Sequence, residues 1–378
     1  RSSDLILEKI ERNHVYKLFC RFTQKIAKFE LNLTVCPWEY LPPQAEEVKG
    51  EVKMTNCYMV DPGGRVDIPT ENVYKIWAQQ AEFGNIPIPD GDVTAELVWQ
   101  DEQGVIADEG VTVVNASERE RAYLQIKTAK EGNAVVAMKV NGEIYWSWHI
   151  WCTDYEPNVT EGQKFFNNLV WMDRNLGAMT NEYTIDGGVK GLFYQWGRKD
   201  PFPASEGWTD QEKMLYTLTG TTSLSYKEVD TSENLVAAIR QPARFFIAIT
   251  SPGDWYTNSM SLLNRTLWLP NTKTIFDPCP VGWRVPGNQP WTGLLQGGVF
   301  NSYLNGLVHP DAGYFPCTGY RRPQTGRFDS LGNIVEWFAV ASSSNECYGL
   351  IFQSVGVLRK EWSTYWRADG RSIRCVKE

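Results

Sequence analysis

Asn133-Ala-Val-Val-Ala-Met-Lys-Val140, Asn141-Gly142 and Glu143-Ile-Tyr-Trp-Ser-Trp-His-Ile-Trp151 read as two strands joined by a tight turn. Asn-Gly suits the left-handed backbone that a type I′ turn requires at both central positions, and that turn matches the twist of the strands it joins. Both arms are rich in β-branched and aromatic side chains, which pack well on a pleated surface. On the second arm Trp146, Trp148 and Ile150 share one face, and Tyr145, Ser147, His149 and Trp151 share the other. The hairpin therefore predicts a β-rich fold. Working outward, Ala95-Glu-Leu-Val-Trp-Gln100 alternates before the turn Asp101-Glu-Gln-Gly104, and Val60-Asp-Pro-Gly-Gly64 punctuates an earlier pair of strands. Short strands with turns between them over residues 50–156 predict an immunoglobulin-like β-sandwich. Cys57 in an early strand and Cys152 at the end of the last are placed to meet across it.

Composition agrees with this class. Sixteen Trp, seventeen Tyr and sixteen Phe in 378 residues point to bulky β-type cores and to surfaces suited to sugar or protein contact. The net charge is −8 and basic residues do not cluster, which argues against nucleic acid as a partner. No apolar run approaches the ~20 residues of a membrane-spanning helix. The chain starts at Arg1 without a signal-like segment, so any leader or lipid anchor is expected to have been removed. Eight cysteines occur without a Cys-x-x-Cys pair and with only three histidines, so no metal or other cofactor is expected. Disulfides and an oxidising, extracytoplasmic compartment are the better expectation. Spacing leaves open the pairing of Cys20, Cys36, Cys57 and Cys152.

Toward the N-terminus, His14-Val-Tyr-Lys-Leu-Phe-Cys-Arg-Phe22 is β-rich, and Phe29-Glu-Leu-Asn-Leu-Thr-Val35 alternates strictly. Two strands cannot form an independent core. Residues 1–49 are therefore expected to be the closing strands of a sandwich that is incomplete in this chain and able to accept a strand from another. A linker with paired prolines, Glu39-Tyr-Leu-Pro-Pro-Gln-Ala-Glu-Glu47, follows.

Toward the C-terminus, Asp277-Pro-Cys-Pro-Val-Gly-Trp-Arg-Val-Pro286 cannot be helical, because its prolines lack the amide donor and clash with a preceding turn. It reads as a rigid turn delivering Trp283 into a core. The tail Ser372-Ile-Arg-Cys-Val-Lys-Glu378 carries Cys375. A Cys279–Cys375 disulfide would close a long loop and contribute ~3–5 kcal/mol; two unpaired buried thiols are the alternative. Cys317 and Cys347, beside the strands expected at Tyr314–Tyr320 and Tyr348–Gln353, form a second candidate pair. Ile334–Val340 and Ser372–Val376 are further strands, and Ser232–Arg240 is a helix capped by Ser232 and ended by Pro242.

Four blocks carry a resemblance: Asn168–Ala178, Gly191–Phe202, Asp277–Pro286 and Arg371–Val376. They resemble the ordered signature blocks of a paralogous domain in surface proteins of Bacteroidetes. The resemblance implies a C-type-lectin-like α+β domain over 157–378, related in fold to formylglycine-generating enzymes. Residues Arg12–Glu39 similarly resemble the closing strands of fimbrillin-like domains. What the resemblance implies is a cell-surface or outer-membrane-associated module in fimbrial or adhesin-like chains, with other fimbrial subunits as partners.

No catalytic set emerges. His14, His149 and His309 lie in three different regions, and the acidic residues show no paired-carboxylate signature. Glu156-Pro157-Asn158 copies a lectin tripeptide but sits in a linker, where chance explains it. Gly332-Asn-Ile-Val-Glu-Trp337 resembles a block of formylglycine-generating enzymes, yet Cys375 is expected in a structural disulfide. The candidate ligand-binding residues are Tyr320, Arg321 and Arg322 in one turn and Trp362, Tyr365 and Trp366 in a late strand, with core packing as the alternative for the tryptophans. The expected function is a non-enzymatic fimbrial or surface adhesin subunit, placed at a tip, that binds a glycan or protein through its C-terminal domain. An enzyme or carbohydrate-processing module on the same scaffold is the alternative.

Overall fold

A computed structural model describes residues 14–22, 29–37, 55–84, 86–287, 290–341, 346–353 and 359–378. The protein is mainly β. The chain divides into a unit of residues 1–53 and a compact unit of residues 54–378.

In the first unit, β1 (His14–Phe22) and β2 (Phe29–Pro37) pair antiparallel along their full length, from His14 opposite Pro37 to Phe22 opposite Phe29. Cys20 stands opposite Leu31 and Cys36 opposite Val15.

The second unit opens with β3 (Cys57–Val60), β4 (Arg65–Pro69) and α1 (Glu71–Gln79). Five strands follow: β5 (Val93–Gln100), β6 (Ile106–Val114), β7 (Tyr123–Thr128), β8 (Gly132–Val140) and β9 (Glu143–Cys152). The hairpin read from the sequence is β8–β9, and Asn141 (φ 52°) and Gly142 (φ 85°) take the two left-handed positions of its turn. The Asn141 carboxamide secures that turn by accepting from Asp92 N and donating to Asp90 O. One sheet runs β5–β8–β9–β3 and is extended beyond β5 by the short strands Leu215–Tyr216 and Thr221–Thr222; the other runs β4–β7–β6. Leu124 and Ile126 of the small sheet share one core with Leu97, Val136 and Met138 of the large one. Helix α1 adds Val73, Ile76 and Trp77 to that core, and its Trp77 Nε1–H donates to Tyr145 O.

The hairpin lies inside its sheet and is covered on both faces. Trp146, Trp148 and Ile150 are buried, and so are Ser147, His149 and Trp151. Residues beyond 156 supply part of the cover: Ser147 Oγ–H donates to Asp200, and the Lys199 ammonium donates to Ser147 O. The pairing of Tyr216 with Gln100 extends the same sheet into this later region. The core therefore runs through the boundary expected at 156/157, from Cys57 to Cys375.

Strands β3 and β9 are parallel neighbours, with Cys57 opposite His149 and Cys152 opposite Val60. The Cys57–Cys152 pairing is corrected accordingly: adjacent strands in this register keep the residues apart, and both remain buried thiols.

In the later region Gln163–Phe166, Leu169–Met172, Val376–Lys377 and Trp283–Arg284 form one small sheet in that order. The proline-rich turn and the tail thus lie side by side, with Trp283 opposite Lys377. The Cys279–Cys375 disulfide locks them. A three-stranded sheet of Asn333–Ala341, Glu346–Gln353 and Arg359–Trp366 lies before the tail. The second expected disulfide does not form. Cys317 is a free thiol in a smaller core with Trp291, Phe315 and Ile334. Cys347 is free in the larger core, where its thiol donates to Tyr365 O.

The expected helix starts later than Ser232. Asp230 captures the Ser232 amide and hydroxyl, while Asn234 N and Nδ2 donate to Tyr256 O. These competing side-chain bonds hold 230–234 out of the helix, so it becomes α2 (Leu235–Arg240).

Candidate functional site

The structure separates the ligand-binding residues read from the sequence. Arg321 points inward: its guanidinium is fully buried, donates to Pro203 O, Gly326 O and the Glu212 carboxylate, and stacks 4.1 Å over Phe328. Five N–H donors in a fixed fork make arginine suited to tying loops together in this way. Arg322 is exposed and pairs with Asp329, which also accepts from the Tyr320 hydroxyl. Tyr320 and Tyr365 both lie near Arg371, whose guanidinium is 5.2 and 3.5 Å from their ring centroids. Trp366 is half-buried and covers Gly253, where a Cβ would fall 2.2 Å from the indole. The side chain of Trp362 lies outside the described residues.

The other motifs have structural partners. Asn158 Oδ1 accepts from Trp283 Nε1, and Pro157 O accepts from Gln163. Trp337 is buried and donates to Tyr194 O. Glu336 is fully buried, and neither carboxylate oxygen makes a well-formed hydrogen bond among the described residues. Burial pushes its pKa up to about 8 against the opposing pull of Arg374 and Asn175. Arg374 is itself lowered to about 10 by burial and donates to Asn175 and Tyr314 O.

A cleft of about 730 Å³ lies where the end of the large sheet meets the loops that follow β9. Its volume falls within the range of small-ligand sites. One wall is the turn after β5 and the start of β8. There Asp101 accepts from Asn133 N and Nδ2, while Asn133 Oδ1 bonds His149 and its amide also donates to Gly177 O. Burial raises the Asp101 pKa despite the attraction of Lys213. On Lys213 burial acts downward, but Asp101 and Glu102 outweigh it and the net shift is upward. Its ammonium lies 3.1 Å from Glu102 and 3.9 Å from Asp101.

The opposite wall is built on Lys190. Its ammonium donates to Ser205 O, Ser205 Oγ and Gly207 O, so all three of its protons are used. Burial lowers its pKa to about 8, with Glu206 opposing. Close approach of backbone requires Gly187 (φ 76°), where a Cβ would meet Lys190 Cε at 2.8 Å and Gly207 O at 2.9 Å. Trp208 follows Gly207, stacks on Tyr183 with ring centroids 5.3 Å apart, and lies 5.5 Å from the Lys190 ammonium. Its indole N–H donates to Thr184 O. Both rings are half-buried.

The sequence reading passed over this site. The run Asp186-Gly-Gly-Val-Lys-Gly191 was the available signal, since glycine-dense backbone flanking a lysine suggests tight loops around a polar group. Nothing local, however, links that run to Asp101 or Ser205. Among the described residues no group of three or more His, Cys, Asp or Glu side chains is placed to hold a metal, and no helix is long and apolar enough to cross a membrane. Comparison with protein-family models, with curated proteins and with solved structures finds no match. Fold and site define a mainly β protein with a preformed polar cleft.

Proposed function

We propose that the chain is a non-enzymatic adhesin subunit of a cell surface or fimbria, combining an immunoglobulin-like sandwich with a C-type-lectin-like region and binding a glycan or protein ligand. The observation that carries this reading is the cleft: its lysines and Asp101 are already tied to neighbouring groups, an arrangement suited to recognition by a rigid surface. The buried Cys279–Cys375 bridge supports an extracytoplasmic setting. The alternative, an enzyme on the same scaffold, has the raised carboxyl of Glu336 in its favour, since perturbed acids mark many active sites. That side chain is fully buried and does not line the cleft, which weighs against it.

The test is a binding screen of residues 54–378 on glycan arrays and immobilised extracellular-matrix proteins, run beside a screen for hydrolytic turnover of the same ligands. Saturable binding without turnover is expected. Turnover abolished by Glu336→Gln would overturn the non-enzymatic reading in favour of the alternative.

A further inference from the structure

We propose that the cleft between Asp101 and Lys190 is the ligand site and that it takes a short, neutral oligosaccharide; this deepens the function proposed above and rests on it. The choice of ligand follows from the cleft's chemistry. Its lining carries both signs, with Glu102, Asp186 and Glu206 facing the same space as Lys130 and Lys213. A strongly anionic ligand meets the carboxylates, and a cationic one meets the lysines. A hydroxyl donates and accepts at once, so a polyol satisfies both kinds of group without a net charge to repel.

The groups fall into two sets. Lys190 spends its three protons on Ser205 O, Ser205 Oγ and Gly207 O, and Asp101 accepts from Asn133 N and Nδ2, so each fixes its own wall. The Glu206 carboxylate carries no hydrogen bond among the described residues, although its backbone is engaged with Gln211 and Thr209. Asp186 accepts from Gly188 N and is held in its charged form by Thr184 and that amide. These two carboxylates and the Lys213 ammonium are the hydroxyl-binding set.

An aromatic pair flanks the cleft without being part of its lining. The stacked Tyr183–Trp208 pair stands beside Gly207, which lines the cleft, and neither ring is fully covered. Sugar rings present C–H faces alongside their hydroxyls, so a half-exposed indole next to Gly207 at the edge of the cleft complements the apolar part of a ligand that reaches past that loop. Pocket sites of this size commonly pair a few placed polar groups with aromatic surface.

The deciding experiment is titration of the whole chain with neutral, sialylated and sulfated oligosaccharides, on wild type and on Glu206→Ala, Trp208→Ala and Tyr365→Ala. Neutral oligosaccharides are expected to bind, with at least a tenfold loss in the Glu206 and Trp208 variants and none in the Tyr365 variant. Thermal melts of all three check that the fold is retained, and Glu206→Gln provides a milder variant if Ala perturbs the loop. Neutral-glycan binding that survives both cleft substitutions would overturn the site while leaving the adhesin reading intact. Binding of charged glycans alone would overturn the ligand class. A protein ligand bound with no glycan bound at all would remove the saccharide proposal but not the adhesin.

Discussion

Strands β3 to β9 and the loop-rich region beyond residue 156 share a core but are held together by different forces. In the first, ladder hydrogen bonds and apolar burial dominate, and the ion pairs are peripheral: Arg65–Asp67 is exposed and Lys139–Glu96 partly so. In the second, regular structure is sparse and charges lie deep. Arg367 pairs with Asp254 at 3.0 Å, Arg371 with Asp369 at 2.6 Å and Lys199 with Asp200 at 2.7 Å, all essentially inaccessible to solvent. Long loops leave backbone carbonyls that no ladder satisfies, and arginine or lysine reaching inward supplies donors for them. Arg198 illustrates this by donating to Arg244 O, Ala238 O and Pro242 O. A fold with short strands can thus be rigid, provided each buried cation is answered.

The largest expected effect tests that contrast directly. Arg367→Ala should cost ~3–5 kcal/mol, because it strands the Asp254 carboxylate and unties Asn264 O. Lys139→Ala should cost under ~1 kcal/mol. Denaturant unfolding of the two variants measures both, and similar costs would break the comparison.

The disulfide comes next. It joins cysteines 96 positions apart in sequence, both within the loop-rich region. Cys279→Ala with Cys375→Ala should lose ~2–5 kcal/mol and make the melt insensitive to reductant. Alkylation after denaturation without reductant should label Cys317 and Cys347 and leave Cys279 and Cys375 unlabelled. Finding Cys317 cross-linked to Cys347 would contradict the separation of the two cores.

Smaller effects follow from pH, with opposite signs in the two regions. His149, in β9, has its pKa lowered to about 3 by burial. Its unfolded form gains a proton first on acidification, so its contribution to stability is lost as pH falls from about 6.5 toward 3. Glu336 is raised to about 8, so the folded state holds the extra proton, and stability declines as pH rises from about 4.5 to 8. Each slope is at most about 1.4 kcal/mol per pH unit. Glu336→Gln should flatten the alkaline arm alone, as read from chemical denaturation across that window; an unchanged arm would show that Glu336 is charged throughout.

The smallest effect concerns residues 1–53. They form a unit of their own, so deleting them is expected to change the melt of residues 54–378 by no more than about 0.5 kcal/mol. A lost or broadened transition would mean that β1 and β2 belong to the larger core after all.

What could be read in advance follows from the range of each interaction. The β8–β9 hairpin was legible because its turn chemistry and its strand pattern are local, and Asn141-Gly142 alone selects the turn. The alternating strand at Phe29–Val35 was legible for the same reason. The proline-rich turn and the cysteine tail pointed at each other because a disulfide leaves a countable residue type. Other features depended on neighbours distant in sequence. Arg321 looked like a surface residue until Pro203 O and Glu212 took up its donors. Cys57 and Cys152 looked like a pair until parallel register set them against His149 and Val60 instead. The cleft was not legible as a site beyond the glycine-dense run at 186–191, for its walls come from residues near 101, 133, 190 and 206 that no local pattern connects. The sequence by itself determined the β character, the turns and one covalent tie. Tertiary structure decided which charges were buried and where a cavity was left, because burial depends on what the rest of the chain packs against.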